Sequence, residues 1–445
     1  MPAAPIDIAE GNQRTPSRSW EGAGGRAGLA LLLLTLSSCT PLVPELDQAG
    51  AEKLLSGSPA PLILDVRLPE APAKVFDRWL PGAIPLELGE VDGYLAHAMV
   101  PKERPVLVVC HAGTTSKVAG LVAKEAGYDR VYSLRDGMKA WKGGQVMRPA
   151  RPSAELRAPR RLEASRLEQV ATVVLGIGVK STYMALSALL IVLLWRSRER
   201  GLVLVRQSMI AFLFGEGMCA VNYLFASGAS DPIEVMHGLG MLAMGALLPL
   251  GLFRLADDRV VRYEDPAATC AVQRFCGHCW KREAVPCGLQ RLFLFAAPAL
   301  AVTSLIPLCA PIVPLRIETT IFGSSVVSQV GAELQLLEFR LYPLLACVLF
   351  TVSFALLWGG RSLFAYARSL FFAGLGLMSF SVMRFFLFRT FRDRILWADA
   401  WEEATEFVAI AFVLFLLYVF RRQLEVLRFL TSREAPLPPA KADQA

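Results

Sequence analysis

The feature that most constrains this chain is a change of character near residue 165. Beyond it, apolar stretches recur at Ala171–Trp195, Ser208–Ala226, Val235–Leu255, Leu292–Val313, Leu341–Trp358, Leu363–Phe388 and Phe407–Phe420. A helix needs about 20 apolar residues to cross the hydrocarbon of a bilayer, and the shortest of these stretches, the last, reaches that length if residues from Glu403 join it. Backbone in lipid must satisfy its own hydrogen bonds, so such segments are confined to helices. Composition agrees: 54% of residues are hydrophobic and 19% charged, with a mean hydropathy of +0.44. Soluble domains average about 45–50% and about 25%, so a disordered chain is excluded and an all-soluble one disfavoured. The net charge of +7 comes mainly from arginines flanking apolar runs. Membrane orientation explains that pattern, and no nucleic-acid partner is expected.

Lysine and arginine in the short loops set the expected orientation. With Glu168 outside, the inner segments carry 17 such residues and the outer loops 5, while Arg148–Arg166 adds six more outside. The expected protein is therefore multi-pass in the cell (inner) membrane, with an extracytoplasmic N-terminal part and a cytoplasmic C-terminus. The organisation expected is a signal segment over 1–39, an α/β domain over 43–147 and an Arg/Pro-rich linker over 148–167. A seven-helix transmembrane domain over 168–430, with a cysteine-bearing loop at 256–290, and a disordered tail over 431–445 complete it. The ten-residue run Ala27–Leu36 is too short to span, and Arg26 before it and Ser37-Ser38-Cys39 after it make a signal-peptide layout. Leu36-Ser37-Ser38-Cys39 also resembles a bacterial lipobox, which would make Cys39 a lipidation site.

Val43–Gly144 alternates strand and helix patterns. Pro61–Arg67, Pro105–Cys110 and Arg130–Leu134 read as strands, the first ending in a charged pair and the second apolar on both faces as a central parallel strand should be. Lys117–Ala126 reads as a helix closed by Gly127, and Asp136–Trp141 begins another. Cys110 thus ends a strand, before the loop His111, Ala112, Gly113, Thr114, Thr115, Ser116 and a helix N-terminus. Open α/β sheets place their sites at the carboxyl ends of strands. Loop amides and a helix dipole there favour an anion such as a thiolate, and His111 and Lys117 add positive charge nearby.

Taken together, Asp65-Val-Arg67, Leu80-Pro-Gly-Ala-Ile84, Cys110-x-x-Gly113-x-x-Ser116 and Asp136-Gly-Met-x-Ala-Trp141 resemble the single-domain rhodanese family in order and spacing. The resemblance implies a sulfurtransferase: Cys110 would take sulfane sulfur from a small donor, hold it as a persulfide cradled by the amides of His111 through Ser116, and pass it to a thiol or cyanide. Asp65 and Arg67 would be structural, tying the first strand to the active loop, and the domain would need no cofactor. Two positions depart from the family: Thr115 stands where many members carry an arginine that grips an anionic donor, and Trp79 where a histidine is common. A binding or sensing module that keeps the fold without turnover is the alternative for this domain.

The nine cysteines are too scattered for a disulfide scaffold. Four of them, Cys270, Cys276, Cys279 and Cys287, crowd the loop between the third and fourth spans. Four soft ligands suit zinc or an iron–sulfur cluster, with His278 able to replace one; a redox dithiol at Cys276-Gly-His-Cys279 and inert cysteines are the other readings. Cys219, Cys309 and Cys347 fall in spans, as a thiol relay or simply as small apolar residues. Lys180, Glu216, Asn222, His237, Arg368 and Arg384 are polar residues in or at the ends of spans, where such groups face a bundle interior or a pathway. Lys180 and Glu216 are expected to pair, and Arg368 and Arg384 to snorkel toward the interface. The leading function is a membrane-anchored sulfurtransferase. The alternatives are a transporter or transmembrane thiol/electron carrier for sulfur compounds, fed by the rhodanese-like domain, and a sensor that signals to the cysteine loop. The residues set no oligomeric state.

Overall fold

The computed structural model describes residues 43–67, 78–143, 149–226, 230–263, 270, 273, 287–359, 361–391 and 394–419. The expected signal segment with Cys39, the tail from 431, and Cys276, His278 and Cys279 lie outside the described residues.

The first part of the fold runs β1 (Glu45–Leu46), α1 (Gln48–Leu55), β2 (Leu62–Asp65), β3 (Ala83–Pro85), α2 (Val91–His97), β4 (Val106–Val109), α3 (Thr115–Glu125), β5 (Val131–Leu134) and α4 (Gly137–Ala140). The five strands form one parallel sheet in the order β1-β5-β4-β2-β3. Every residue of β2 and β4 is buried, because helices cover both faces of the sheet. Val91, Leu95, Ala119 and Val122 pack on one face; Ala51, Met138 and Trp141 pack on the other. Three strands were legible from apolar runs, whereas β1 and β3 have two and three residues and are too short to show a period. In the register of β2 and β4, Asp65 lies opposite Val109, so Arg67 and Cys110 leave the sheet at the same carboxyl edge.

The segment expected to be a linker is built into the fold. Its β6 (Arg160–Leu162) pairs in parallel with β7 (Leu315–Ile321), which forms an antiparallel hairpin with β8 (Ser324–Val330). Phe322 and Gly323 both take positive φ at the tip, as a two-residue hairpin turn requires. Val313 and Leu315, from the membrane part, join the apolar core of the α/β domain. Arg151 pairs with Glu87 at 3.0 Å and Glu90 at 2.8 Å, Arg157 with Glu90 at 2.6 Å, and Arg160 with Asp92 at 3.6 Å. Arg161 reaches Glu318 at 3.0 Å, and the Ser325 hydroxyl, helped by Arg161, holds the Glu318 carboxyl below its usual range. Four of the arginines that weigh against the expected orientation are thus matched by carboxylates.

The membrane part comprises α5 (Arg166–Leu193), α6 (Arg200–Ala226), α7 (Asp231–Ala256), α8 (Gly288–Thr303), α9 (Ala332–Trp358), α10 (Phe364–Thr390) and α11 (Ile395–Val419). The first six, with α8 counted on to Cys309, are long and apolar enough to cross a membrane. α11 is as long but carries Asp399, Glu402, Glu403 and Glu406 in its first half. Glu168 meets Arg394 at 3.3 Å, Gln169 the hairpin tip at Phe322 at 3.0 Å, and Glu234 the backbone of Gly331 at 3.3 Å. The start of α5, the start of α7, the hairpin and the start of α11 therefore share one end of the bundle, together with the α/β domain.

Glycines let the central helices approach closely, as small residues do in membrane bundles. A Cβ on Gly240 of α7 would lie 2.7 Å from the Cα of Gly215 and 2.8 Å from the Ala211 carbonyl of α6. Gly240→Leu is expected to cost about 1–3 kcal/mol through overpacking, read as a lower thermal midpoint of the detergent-purified chain.

Candidate active site

Cys110 is 3% exposed at the end of β4. The Gly113 N–H donates to its Sγ at 3.1 Å, and the thiol lies 3.3 Å from the Ser116 Oγ. Ser116, fully buried in the first turn of α3, shares a 2.9 Å hydrogen bond with the Ser133 hydroxyl of β5. Three neighbouring elements thereby set the position of one sulfur atom. The loop closes because Gly113 takes φ +85°, a conformation that disfavours a side chain.

The start of α4 holds the loop from outside. Met138 N–H donates to the Cys110 carbonyl at 2.8 Å and Lys139 N–H to the His111 carbonyl at 3.0 Å. A Cβ on Gly137 would stand 2.5 Å from both carbonyl oxygens, so this position needs glycine for space as well as for its φ of +62°. His111, Ala112 and Thr114 are exposed, Thr115 is half-buried, and Gly113 is buried. Lys117 is engaged by Glu45 at 2.8 Å, so its charge is partly spent on that contact.

Asp65 and Arg67 form a buried pair, with Arg67 Nη2 2.6 Å from Asp65 Oδ2 and Arg67 Nε 3.0 Å from Asp65 Oδ1. Arg67 also donates to the Arg78 carbonyl at 2.8 Å and lies 4.3 Å above the Trp79 ring. These contacts tie β2 to the segment that enters β3, and they give Trp79 a role as the lid on a buried guanidinium. A cleft of about 910 Å³ lined by Arg161, Glu163, Arg166, Gln169, Glu318 and Phe322 opens at the β6–β7 junction and includes no residue of the Cys110 loop.

Of the cysteine loop, Cys270 is half-buried, Cys287 is buried, and both are free thiols. Their expected co-ligands Cys276 and Cys279 fall outside the described residues. Cys219, Cys309 and Cys347 are half-buried.

Within the bundle, Lys180 and Glu216 form the expected ion pair. His237 is buried, with Nδ1 2.9 Å from the Gly215 carbonyl, and Asn222 accepts from Ser230 N–H at 3.0 Å. The snorkelling expected of Arg368 and Arg384 is corrected: they are 1% and 2% exposed. Arg368 pairs with Asp257 at 2.9 Å between the rings of Tyr263 and Phe364, and Arg384 pairs with Glu338 at 2.8 Å and with Glu402. Sequence reasoning passed over Tyr183, Glu338, Glu402, Glu403 and Glu406. The helical spacing of the carboxylates from Asp399 to Glu406, along an otherwise apolar segment, was the signal available for most of them.

Residues 48–143 match the rhodanese-like domain family. A sulfurtransferase from Allochromatium vinosum is 29% identical over 100 residues, which cover 22% of this chain and 89% of that protein. The thiosulfate sulfurtransferase GlpE of Pseudoalteromonas translucida is 31% identical over 83 residues, 18% of this chain and 72% of its own. The chain belongs to the rhodanese-like family through this domain, a fold that needs no cofactor. The membrane helices lie outside the match.

Removing Arg67 leaves the Asp65 carboxylate buried and unpaired. Arg67→Leu is expected to destabilise the domain by about 3–5 kcal/mol, measured by denaturant unfolding followed through Trp79 and Trp141 fluorescence.

Proposed function

We propose that this protein is a membrane-bound sulfurtransferase that carries sulfane sulfur as a persulfide on Cys110, with its rhodanese-like domain on the extracytoplasmic side. The observation that carries the reading is the Gly113 N–H aimed at Cys110 Sγ, at the carboxyl edge of the sheet. A donor on the sulfur stabilises a thiolate, which is the attacking species. The Cys110 thiolate attacks the outer, sulfane sulfur of the donor. The donor's own sulfur–sulfur bond breaks and its remainder leaves as an anion, sulfite in the case of thiosulfate. A thiolate or cyanide then attacks the outer sulfur of the Cys110 persulfide and regenerates the Cys110 thiolate. In this reading the amides of His111 through Ser116 cradle that outer sulfur, as Gly113 N–H already does for Cys110 Sγ.

Thr115 offers no guanidinium to a sulfonate group, so a thiol-borne persulfide suits the loop better than thiosulfate as donor. Loop charge supports the outer placement, since the matched arginines of the β6 segment no longer count fully against it. A second reading, delivery of sulfur to the membrane part, is favoured by one contact. Val118, one turn into the helix that follows the Cys110 loop, packs against Ala310, Ile312, Phe339 and Phe385.

Full-length protein in detergent is expected to form a persulfide on Cys110 by mass spectrometry and to turn over a sulfane-sulfur donor with cyanide. Cys110→Ser loses both, and retention of either overturns the assignment. Thr115→Arg is expected to raise kcat/KM for thiosulfate by at least about tenfold, the worth of one hydrogen bond to a charged group. For sidedness, Cys110 is too buried to report, whereas Met99 is 90% exposed. Met99→Cys should react with a membrane-impermeant thiol reagent on intact cells; protection until lysis would invert the orientation.

A further inference from the structure

A second polar centre lies within the helix bundle, away from Cys110. Its outer part is Arg384 on α10, bound to Glu338 on α9 and Glu402 on α11. Its inner part is Lys180 on α5, bound to Glu216 on α6 and, at 2.9 Å, to Glu403 on α11. The Tyr183 hydroxyl lies 3.1 Å from Glu216 Oε2 and 2.5 Å from Glu403 Oε2. His237 on α7 stands 3.9 Å from Glu216. One turn deeper on α11 is Glu406, 5% exposed, with no hydrogen-bond partner for either carboxyl oxygen among the described residues. The groups acting on it are Lys180 and Tyr183 from α5, Glu216 from α6, Arg384 from α10, and Glu402 and Glu403 from its own helix.

Two independent features of this geometry call for bound protons. Six carboxyl groups, Glu216, Glu338, Asp399, Glu402, Glu403 and Glu406, share two permanent cations, Lys180 and Arg384. Each uncompensated charge in apolar surroundings is strongly disfavoured by lost hydration, and a proton removes that cost. The single O–H of Tyr183 also cannot be donated fully to two carboxylates at once. The arrangement closes when one carboxyl carries a proton and donates it to the phenol oxygen.

Depth gives the centre a direction. Glu338 and Arg384 each lie six residues, about 9 Å along the helix, from the domain-bearing end of α9 and α10. Glu406 lies eleven residues into α11, or about 16 Å, near the middle of a hydrocarbon layer of about 30 Å. One turn further, Ile410 enters an apolar cluster with Leu190, Val205, Met209, Phe212 and Val413. Polar groups thus lead inward from one end and stop at an apolar plug.

We infer that the bundle holds a proton-binding site, made by Glu406 with Glu216 and Glu403 around Tyr183, that exchanges with the domain-bearing side of the membrane. A proton on Glu406 removes its repulsion with Glu216 and Glu403, and a proton on either of those weakens an ion pair that joins α5 to α6 or α11, so the packing of these helices responds to proton occupancy.

The test is reaction of the full chain, reconstituted in lipid vesicles, with dicyclohexylcarbodiimide, which modifies protonated carboxyls in apolar surroundings. The expected result is an adduct on Glu406 at neutral pH. It should fall about tenfold per pH unit above the titration point, be insensitive to sodium and potassium, and vanish in Glu406→Gln. Absence of any adduct on the wild-type bundle, or an adduct confined to carboxyls other than Glu216, Glu403 and Glu406, would overturn the site, and an adduct on Glu216 or Glu403 without Glu406 would overturn Glu406 as its loaded member. Protection by sodium at constant pH would overturn the proton as its ligand and assign a metal cation. Should Glu406→Gln fail to fold, the wild-type pH profile and the modified peptide still decide the matter.

Discussion

A charge removed from water has to find its counter-charge within the chain, and this constraint shapes both halves of the molecule. In the α/β domain it produces Asp65–Arg67, closed over by Trp79 and anchored to the Arg78 carbonyl. In the bundle it produces Arg368–Asp257 toward one end, Arg384 between Glu338 and Glu402 toward the other, and Lys180 between Glu216 and Glu403 further in. Each pair joins separate helices, so the bundle has crosslinks that lipid cannot replace. Glu406 is where the matching stops, which is why it draws a functional reading rather than a structural one.

The two halves are held together by more than a tether. β6 pairs with the membrane hairpin, the Arg151 to Arg161 side chains pair with carboxylates on both parts, and Val313 and Leu315 complete an apolar core that belongs mostly to the α/β domain. The same docking brings α3, the helix whose first turn supports the Cys110 loop, against the membrane part at Val118. The Cys110 loop is thus held by α4 on one side and continues on the other into a helix docked against the membrane part. The proposed sulfur site and the proposed proton site therefore sit in one connected framework, through α3 and the helices that carry Phe339 and Phe385.

The Cys110 site was largely legible from sequence because its geometry is local. A strand, a glycine-containing loop and a helix follow one another within about a dozen positions, and the family resemblance rests on those same positions. Its support was less legible: Ser133 and Gly137 come from later elements, and only the folded sheet brings them to the loop. The arginines in the spans show the limit most directly. Taken alone, Arg368 and Arg384 fit snorkelling, because no acid lies within two helical turns of either; Asp257 and Glu338 are more than forty positions away, and Glu402 follows only in the next helix.

By itself, the sequence determined the class of each part, an open α/β domain followed by membrane-spanning helices, and it singled out Cys110 as the candidate nucleophile. These follow from periodicity and run length, which are properties of neighbouring residues. Tertiary structure alone decided that Arg160–Leu162 is a docking strand, that Arg368 and Arg384 are buried in ion pairs, and that six carboxyls gather around Lys180 and Arg384. The physical reason is that a charge is compensated through space, over a few ångströms, by groups whose separation along the chain carries no information about that distance.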